Sequence, residues 1–238
     1  MRPRPLLLAL AVALVVAVGA ATWIVADALR PPAPPRAGGL DVYGAVPPFA
    51  LVDQAGRRVT REDLLGHVSV VDFMYTDCTD VCEMTSGRLA SLLRELGGAG
   101  DLRVVSISVD PEHDTPAVLA AYAQRHGADP RWRLLTGPRL DIACLARRGF
   151  HLDIGDDTDA GACGPASAAA PPGALAALLG PAPAWAHGPS RSIAHTTRLA
   201  VVDRAARIRA YHLATDPLSM QALPTTLRRL LAEPAPRG

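Results

Sequence analysis

The chain has no lysine; all 24 of its basic residues are arginine, against 23 acidic ones. A formal charge of +1 excludes binding of polyanions by bulk electrostatics. Aromatics make up only 4% of the residues, too few for the stacking platforms that single-stranded nucleic acid requires. Four cysteines in 238 residues do not build a disulfide-framed miniprotein. There is no P-loop, no G-x-S-x-G, no H-E-x-x-H and no carboxylate pair at hydrolase spacing. What the chain has in quantity is apolar residues, 49%, enough for one sizeable domain with a buried core.

Residues 1–29 differ from the rest. Arg2 and Arg4 precede an uncharged apolar run from Leu6 to Ala26. About 20 such residues in a helix cross the ~30 Å of bilayer hydrocarbon. The basic flank predicts a cytoplasmic N-terminus, and Trp23 falls where an interfacial aromatic belongs. The segment reads as a single membrane anchor. The rival is a cleaved signal peptide, with Val18-Gly19-Ala20 resembling a small-residue cleavage site. Residues 30–39 (RPPAPPRAGG) are a Pro/Gly-rich tether. The globular domain is expected over 40–238.

Within it, Phe49–Val52 and Arg57–Thr60 flank a Gly-containing turn and predict a hairpin. Val68–Tyr75 and Leu102–Val109 are β-branched apolar runs, each a buried strand. Helices are predicted over Glu83–Leu96, from Pro116 to His126 with Thr115 as N-cap, over Arg139–Arg148, and over Leu218–Ala232. Trp132–Leu135 reads as a short strand, and Thr196–Asp203 with Ala206–His212 as a second hairpin. Strands alternating with helices predict an α/β sheet covered on both faces. Residues 152–190, rich in Ala, Gly, Pro and Asp, are an unusually long loop.

The sharpest feature is Asp77-Cys78-Thr79-Asp80-Val81-Cys82, where the first buried strand meets its helix. Thiols four residues apart can share one side of a helical turn. The helix N-terminus favours thiolate, the form that binds soft metal or attacks a disulfide. A plain structural disulfide or two buried small side chains would be the unremarkable alternatives. Compared with C-x-x-C, the extra residue suits two sulfurs on one metal ion at least as well as redox exchange. Two thiolates need a third donor for trigonal Cu(I), or two more for Zn(II), and histidine is the obvious type. Of the other histidines, His67, His126 and His151 sit at segment ends and read as solvated. His187 could offer a second metal contact. Cys144, inside a predicted helix, reads as a buried thiol, with pairing to Cys163 the alternative in an oxidising compartment. Asp72 is the odd residue of its apolar strand, placed either to affect the cysteines' proton balance or as a hydrogen-bonded structural group.

Three segments, in order, carry a resemblance. Val70–Cys82 (VVDFMYTDCTDVC), Ser106–Pro116 (SISVDPEHDTP) and Ile193–Thr197 (IAHTT) resemble the signatures of the Sco/SenC family of copper-binding assembly factors of cytochrome c oxidase. The resemblance spans about Pro48 to Arg209. It implies a thioredoxin-like α/β domain with an N-terminal hairpin extension behind a single transmembrane helix. It implies a copper ion held by Cys78, Cys82 and His195. The implied role is a metallochaperone of the inner membrane, its domain periplasmic, delivering copper to the dinuclear site of oxidase subunit II. An upstream copper donor or thiol reductant is then a second partner. The alternative is a thiol–disulfide reductase in which Cys78 and Cys82 form the redox pair. Several positions depart from the family's pattern. Thr79 and Glu83 stand where proline usually follows each cysteine, and His113 replaces a basic residue. The turn Asp203-Arg204-Ala205-Ala206 lacks the usual glycine.

Overall fold

The structure is a computed structural model that describes residues 40–127, 129–152 and 197–234, with the isolated positions Gly19, Ile154 and Cys163. The expected anchor, the tether, most of the long loop, His187 and His195 lie outside the described residues. Among the described residues no helix is long and apolar enough to cross a membrane.

The strands are β1 (Gly44–Ala45), β2 (Ala50–Asp53), β3 (Arg58–Thr60), β4 (Val68–Met74), β5 (Leu102–Ser108), β6 (Trp132–Thr136), β7 (Arg198–Val202) and β8 (Arg207–Leu213). The helices are α1 (Val81–Glu95), α2 (Pro116–Arg125), α3 (Arg139–Cys144) and α4 (Pro217–Ala232). All eight strands form one sheet in the order β1-β8-β7-β4-β5-β6-β2-β3. The three central neighbours β4, β5 and β6 are parallel, as helical crossovers require; β7 pairs antiparallel with β4.

β4 is buried at every position because both sheet faces are covered. Val68 and Val70 pack with Leu89 and Leu93 of α1, Leu119 and Tyr122 of α2, and Leu223 and Leu227 of α4. Val71 and Phe73, one residue out of phase, pack on the other face with Leu51, Val59, Ile142, Phe150 and Ile208. The period-2 alternation, hidden in a strand with apolar residues on both faces, thus separates two cores.

Thr115 caps α2 by accepting from the Val118 N–H at 3.4 Å, as expected. The predicted helix over Arg139–Arg148 needs correction. Its α-helical part stops at Cys144, and Leu145–Gly149 form a wider π turn. The close approach of Gly149 to Pro47 leaves no room for a Cβ, which would lie 2.7 Å from the proline Cδ.

The turn without glycine is built by its aspartate. The Asp203 carboxylate accepts from the N–H groups of Ala205 and Arg207, at 2.9 and 3.0 Å. Asp53 does the same for Ala55 and Arg57 in the other hairpin. Where that turn has Gly56 at φ 73°, this one has Ala206 at φ 55°, a left-handed conformation that L-residues rarely adopt.

Candidate metal centre

The parallel pairing of β4 and β5 runs to Met74 and Ser108, so both strands end side by side. Tyr75–Asp80 leave β4 as a loop, and α1 starts at Val81. Cys78 lies in the loop and Cys82 in the first turn of α1. Both are buried, and neither is in a disulfide. The Cys82 N–H donates to Cys78 Sγ at 3.4 Å. A first-turn N–H has no intrahelical acceptor, so the loop sulfur takes that role. No side chain at Asp80 caps the helix. The Cys78 N–H itself donates to the Tyr75 carbonyl at 3.3 Å.

Burial pushes the Cys82 thiol well up, and a hydrogen bond with the Cys78 thiol adds to this; a backbone hydrogen bond at Tyr75 acts the other way. Burial therefore favours the neutral thiol at Cys82. A soft cation held by both sulfurs would offset the cost of ionising the pair.

Asp72 lies on the same sheet face as the cysteines. It lines a small cavity together with Cys82, Thr85, Thr197 and Leu199. Its carboxylate accepts from the Ser106 hydroxyl at 2.5 Å, and Ser106 Oγ accepts from Trp132 Nε1 at 2.9 Å. Burial raises Asp72 to about 7, an effect that the Ser106 hydrogen bond only partly opposes. The residue singled out in the sequence is thus both hydrogen-bonded and adjacent to the cysteine cavity.

A second buried carboxylate also serves the cysteine loop. Asp114 is buried behind the cysteine loop. It accepts from the Thr76 N–H at 3.0 Å, from the Thr76 hydroxyl, and from the Ser108 hydroxyl at 2.5 Å. Its one signal in the sequence is its place in the second signature, SISVDPEHDTP, beside the start of α2.

His113 is exposed and pairs with Asp110 at 2.8 Å. His126 does not read as solvated. Its ring packs on Tyr122 at 4.4 Å and its Nε2 lies 3.2 Å from Glu83 Oε2. The end of α2 rests there against the start of α1. Cys144 is not a thiol; it is bonded to Cys163, with Cα atoms 5.4 Å apart. Of the three expected ligands, the structure brings Cys78 and Cys82 together. His195 lies outside the described residues, and Thr197, two residues later, lines the Cys82 cavity.

The family model SCO1/SenC matches residues 41–165, just over half of the chain. This chain belongs to the SCO1/SenC family. The SCO1 protein homolog of Bacillus subtilis is 35% identical over 112 residues, covering 46% of this chain and 58% of that protein's length. ScoI of Bradyrhizobium japonicum, solved with copper bound, superimposes with a TM-score of 0.57 at 24% identity, over 78% of this chain and 99% of that one. BsSco, a member of the Sco family of cytochrome c oxidase assembly proteins in which a disulfide switch has been identified, gives 0.59 at 21% identity, over 81% and 96%. These structures establish the α/β, thioredoxin-like Sco fold for this member of SCO1/SenC.

Proposed function

We propose that the chain is a membrane-anchored copper metallochaperone that holds copper with Cys78, Cys82 and His195 and passes it to the dinuclear site of cytochrome c oxidase subunit II. The observation that carries this is the buried dithiol at the head of α1, with Thr197 and Leu199, just after His195 in sequence, lining the Cys82 cavity. That placement of Thr197, two residues after His195 in sequence, supports His195 as the third donor. Two thiolates and one imidazole form a three-donor set suited to Cu(I). Solved relatives with copper bound, and BsSco's membership of an oxidase assembly family, support the same reading.

Loading displaces the thiol protons as the sulfurs take the metal. Delivery proceeds by ligand exchange, the acceptor's thiolates replacing Cys78 and Cys82 in turn. Oxidation of the pair to a disulfide removes two of the three donors, so thiol redox state gates loading. The Cys144–Cys163 disulfide supports placing the domain in an oxidising, extracytoplasmic compartment, outside the inner membrane that residues 6–26 would span.

The second reading, a thiol–disulfide reductase acting on the acceptor's cysteines, is favoured by the hydrogen bond between the two thiols. Burial of Cys82 would make Cys78 the attacking residue and Cys82 the resolving one. The test is Cu(I) titration of the reduced protein against a competing chelator. The chaperone reading expects His195→Ala to lose at least tenfold in affinity. Unchanged affinity together with retained disulfide reductase turnover would select the second reading.

A further inference from the structure

Three side chains distant in sequence meet behind the cysteine loop. Thr76 is the first loop residue after Tyr75, Ser108 ends β5, and Asp114 precedes the cap of α2. The Asp114 carboxylate receives three donors at once: the Thr76 N–H at 3.0 Å, the Thr76 hydroxyl, and the Ser108 hydroxyl at 2.5 Å. Ser108 Oγ in turn accepts from the Asp110 N–H at 3.0 Å. Asp114 is 1% exposed, so water does not substitute for these bonds. The loop they hold is short. Two residues beyond Thr76 is Cys78, whose N–H is spent on the Tyr75 carbonyl and whose sulfur receives the Cys82 N–H. α1 has no side-chain cap of its own. The start of the loop is therefore fixed from behind, by the 110–115 segment, rather than from the helix.

We propose that Asp114 is a positioning residue for the cysteine pair: a latch that holds Thr76, and through it the Cys78 loop, in the conformation where Cys78 Sγ receives the Cys82 N–H. This deepens the copper reading and, for its metal-affinity consequence, rests on it. The latch also acts on the pair without metal. Closing a disulfide draws the two sulfurs to about 2.05 Å and pulls the Cys78 loop against the latch, so loss of the latch shifts the pair toward the disulfide.

The substitutions separate positioning from bulk stability. Asp114→Ala leaves three donors without an acceptor. Asp114→Asn keeps the shape: its amide oxygen accepts from the Thr76 N–H and Ser108, and its NH2 donates to a reoriented Thr76 hydroxyl. Thr76→Val removes only the hydroxyl bond and serves if the alanine variant does not fold. Arg209→Gln is the control. Arg209 is a buried cation at the opposite end of the sheet, bonded to Asp203 at 2.8 Å and Glu233 at 3.0 Å.

The experiment measures the equilibrium constant of the Cys78/Cys82 couple against glutathione and, in parallel, Cu(I) affinity by chelator competition, on the intact protein. Asp114→Ala is expected to shift the redox constant at least threefold toward the disulfide and to lower Cu(I) affinity about tenfold. Thr76→Val shifts the redox constant about twofold in the same direction. Asp114→Asn and Arg209→Gln leave both quantities near the parent's. The redox constant decides. A folded Asp114→Ala protein, or failing that Thr76→Val, with the parent's redox constant overturns the latch, as does an equal shift in Arg209→Gln. Failure of the parent to bind Cu(I) at all defeats the copper reading instead, and leaves the latch to be judged on redox alone.

Discussion

Replacing Asp72 by asparagine should make the metal-free, reduced protein more stable at pH 8 and leave it unchanged near pH 4. Asp72 is 4% exposed, has a single hydroxyl donor in Ser106, and is raised from 3.8 to about 7 by burial. The folded protein therefore binds this proton more tightly than the unfolded chain does. Below pH ~4 both states are protonated, and the carboxyl is neutral in each. As the pH rises from about 4 to 7 the unfolded chain loses the proton first, so folding stability falls through that window and levels off above it. At about 1.4 kcal/mol per pH unit, the loss reaches about 4 kcal/mol at most. Local relaxation reduces this, so roughly 2–4 kcal/mol is the expected range. Asparagine copies the shape of the neutral acid and never ionises. The assay is urea unfolding of both proteins from pH 4 to 8 with a reductant and a chelator present. Other titrating groups, such as the buried His212, act alike in both proteins and cancel in the difference. A difference that is flat with pH, or that grows as the pH falls, would refute the reasoning.

Two further expectations concern stability. Cys144→Ser with Cys163→Ser opens a disulfide of sequence separation 19, which in the chain-entropy account removes about 3 kcal/mol; calorimetry should show a lower Tm, and an unchanged one would mean that the bridge contributes nothing to the fold. Gly149→Ala drives a methyl to 2.7 Å from the Pro47 ring and 3.1 Å from Leu145 Cδ1, and should lose about 1–3 kcal/mol in denaturant titration, with no change in Cu(I) affinity because the site lies on other elements.

The chain of elements was legible because each carries its own signal. The apolar runs that became β4 and β5 leave no alternative to buried strands, and Thr115-Pro116 marks a helix start by capping chemistry alone. The cysteine pair was legible for the same local reason: four-residue spacing at a strand-to-helix junction. What was not legible is tertiary. The Asp114–Thr76 bonds join residues 38 apart, and nothing in either segment announces the other. The Cys144–Cys163 bridge follows from where α3 ends, because spacing alone does not decide between a buried thiol and a bond. His126 reads in sequence as a solvated segment end, and its partial burial comes from Tyr122 and Glu83 on two different helices. The π turn at Leu145–Gly149 continues an unbroken helical pattern and differs only in its hydrogen bonding. Ala206 in a left-handed turn is tolerated because Asp203 supplies the turn's hydrogen bonds, which a search for glycine misses.

The most direct test of the copper reading is X-ray absorption at the copper edge of the reduced, Cu(I)-loaded protein, with the His195→Ala variant beside it. One copper per chain, with a shell of two sulfurs and one nitrogen that loses its nitrogen in the variant, is the predicted result. A shell without two sulfurs, or one identical in parent and variant, would contradict the assignment of Cys78, Cys82 and His195.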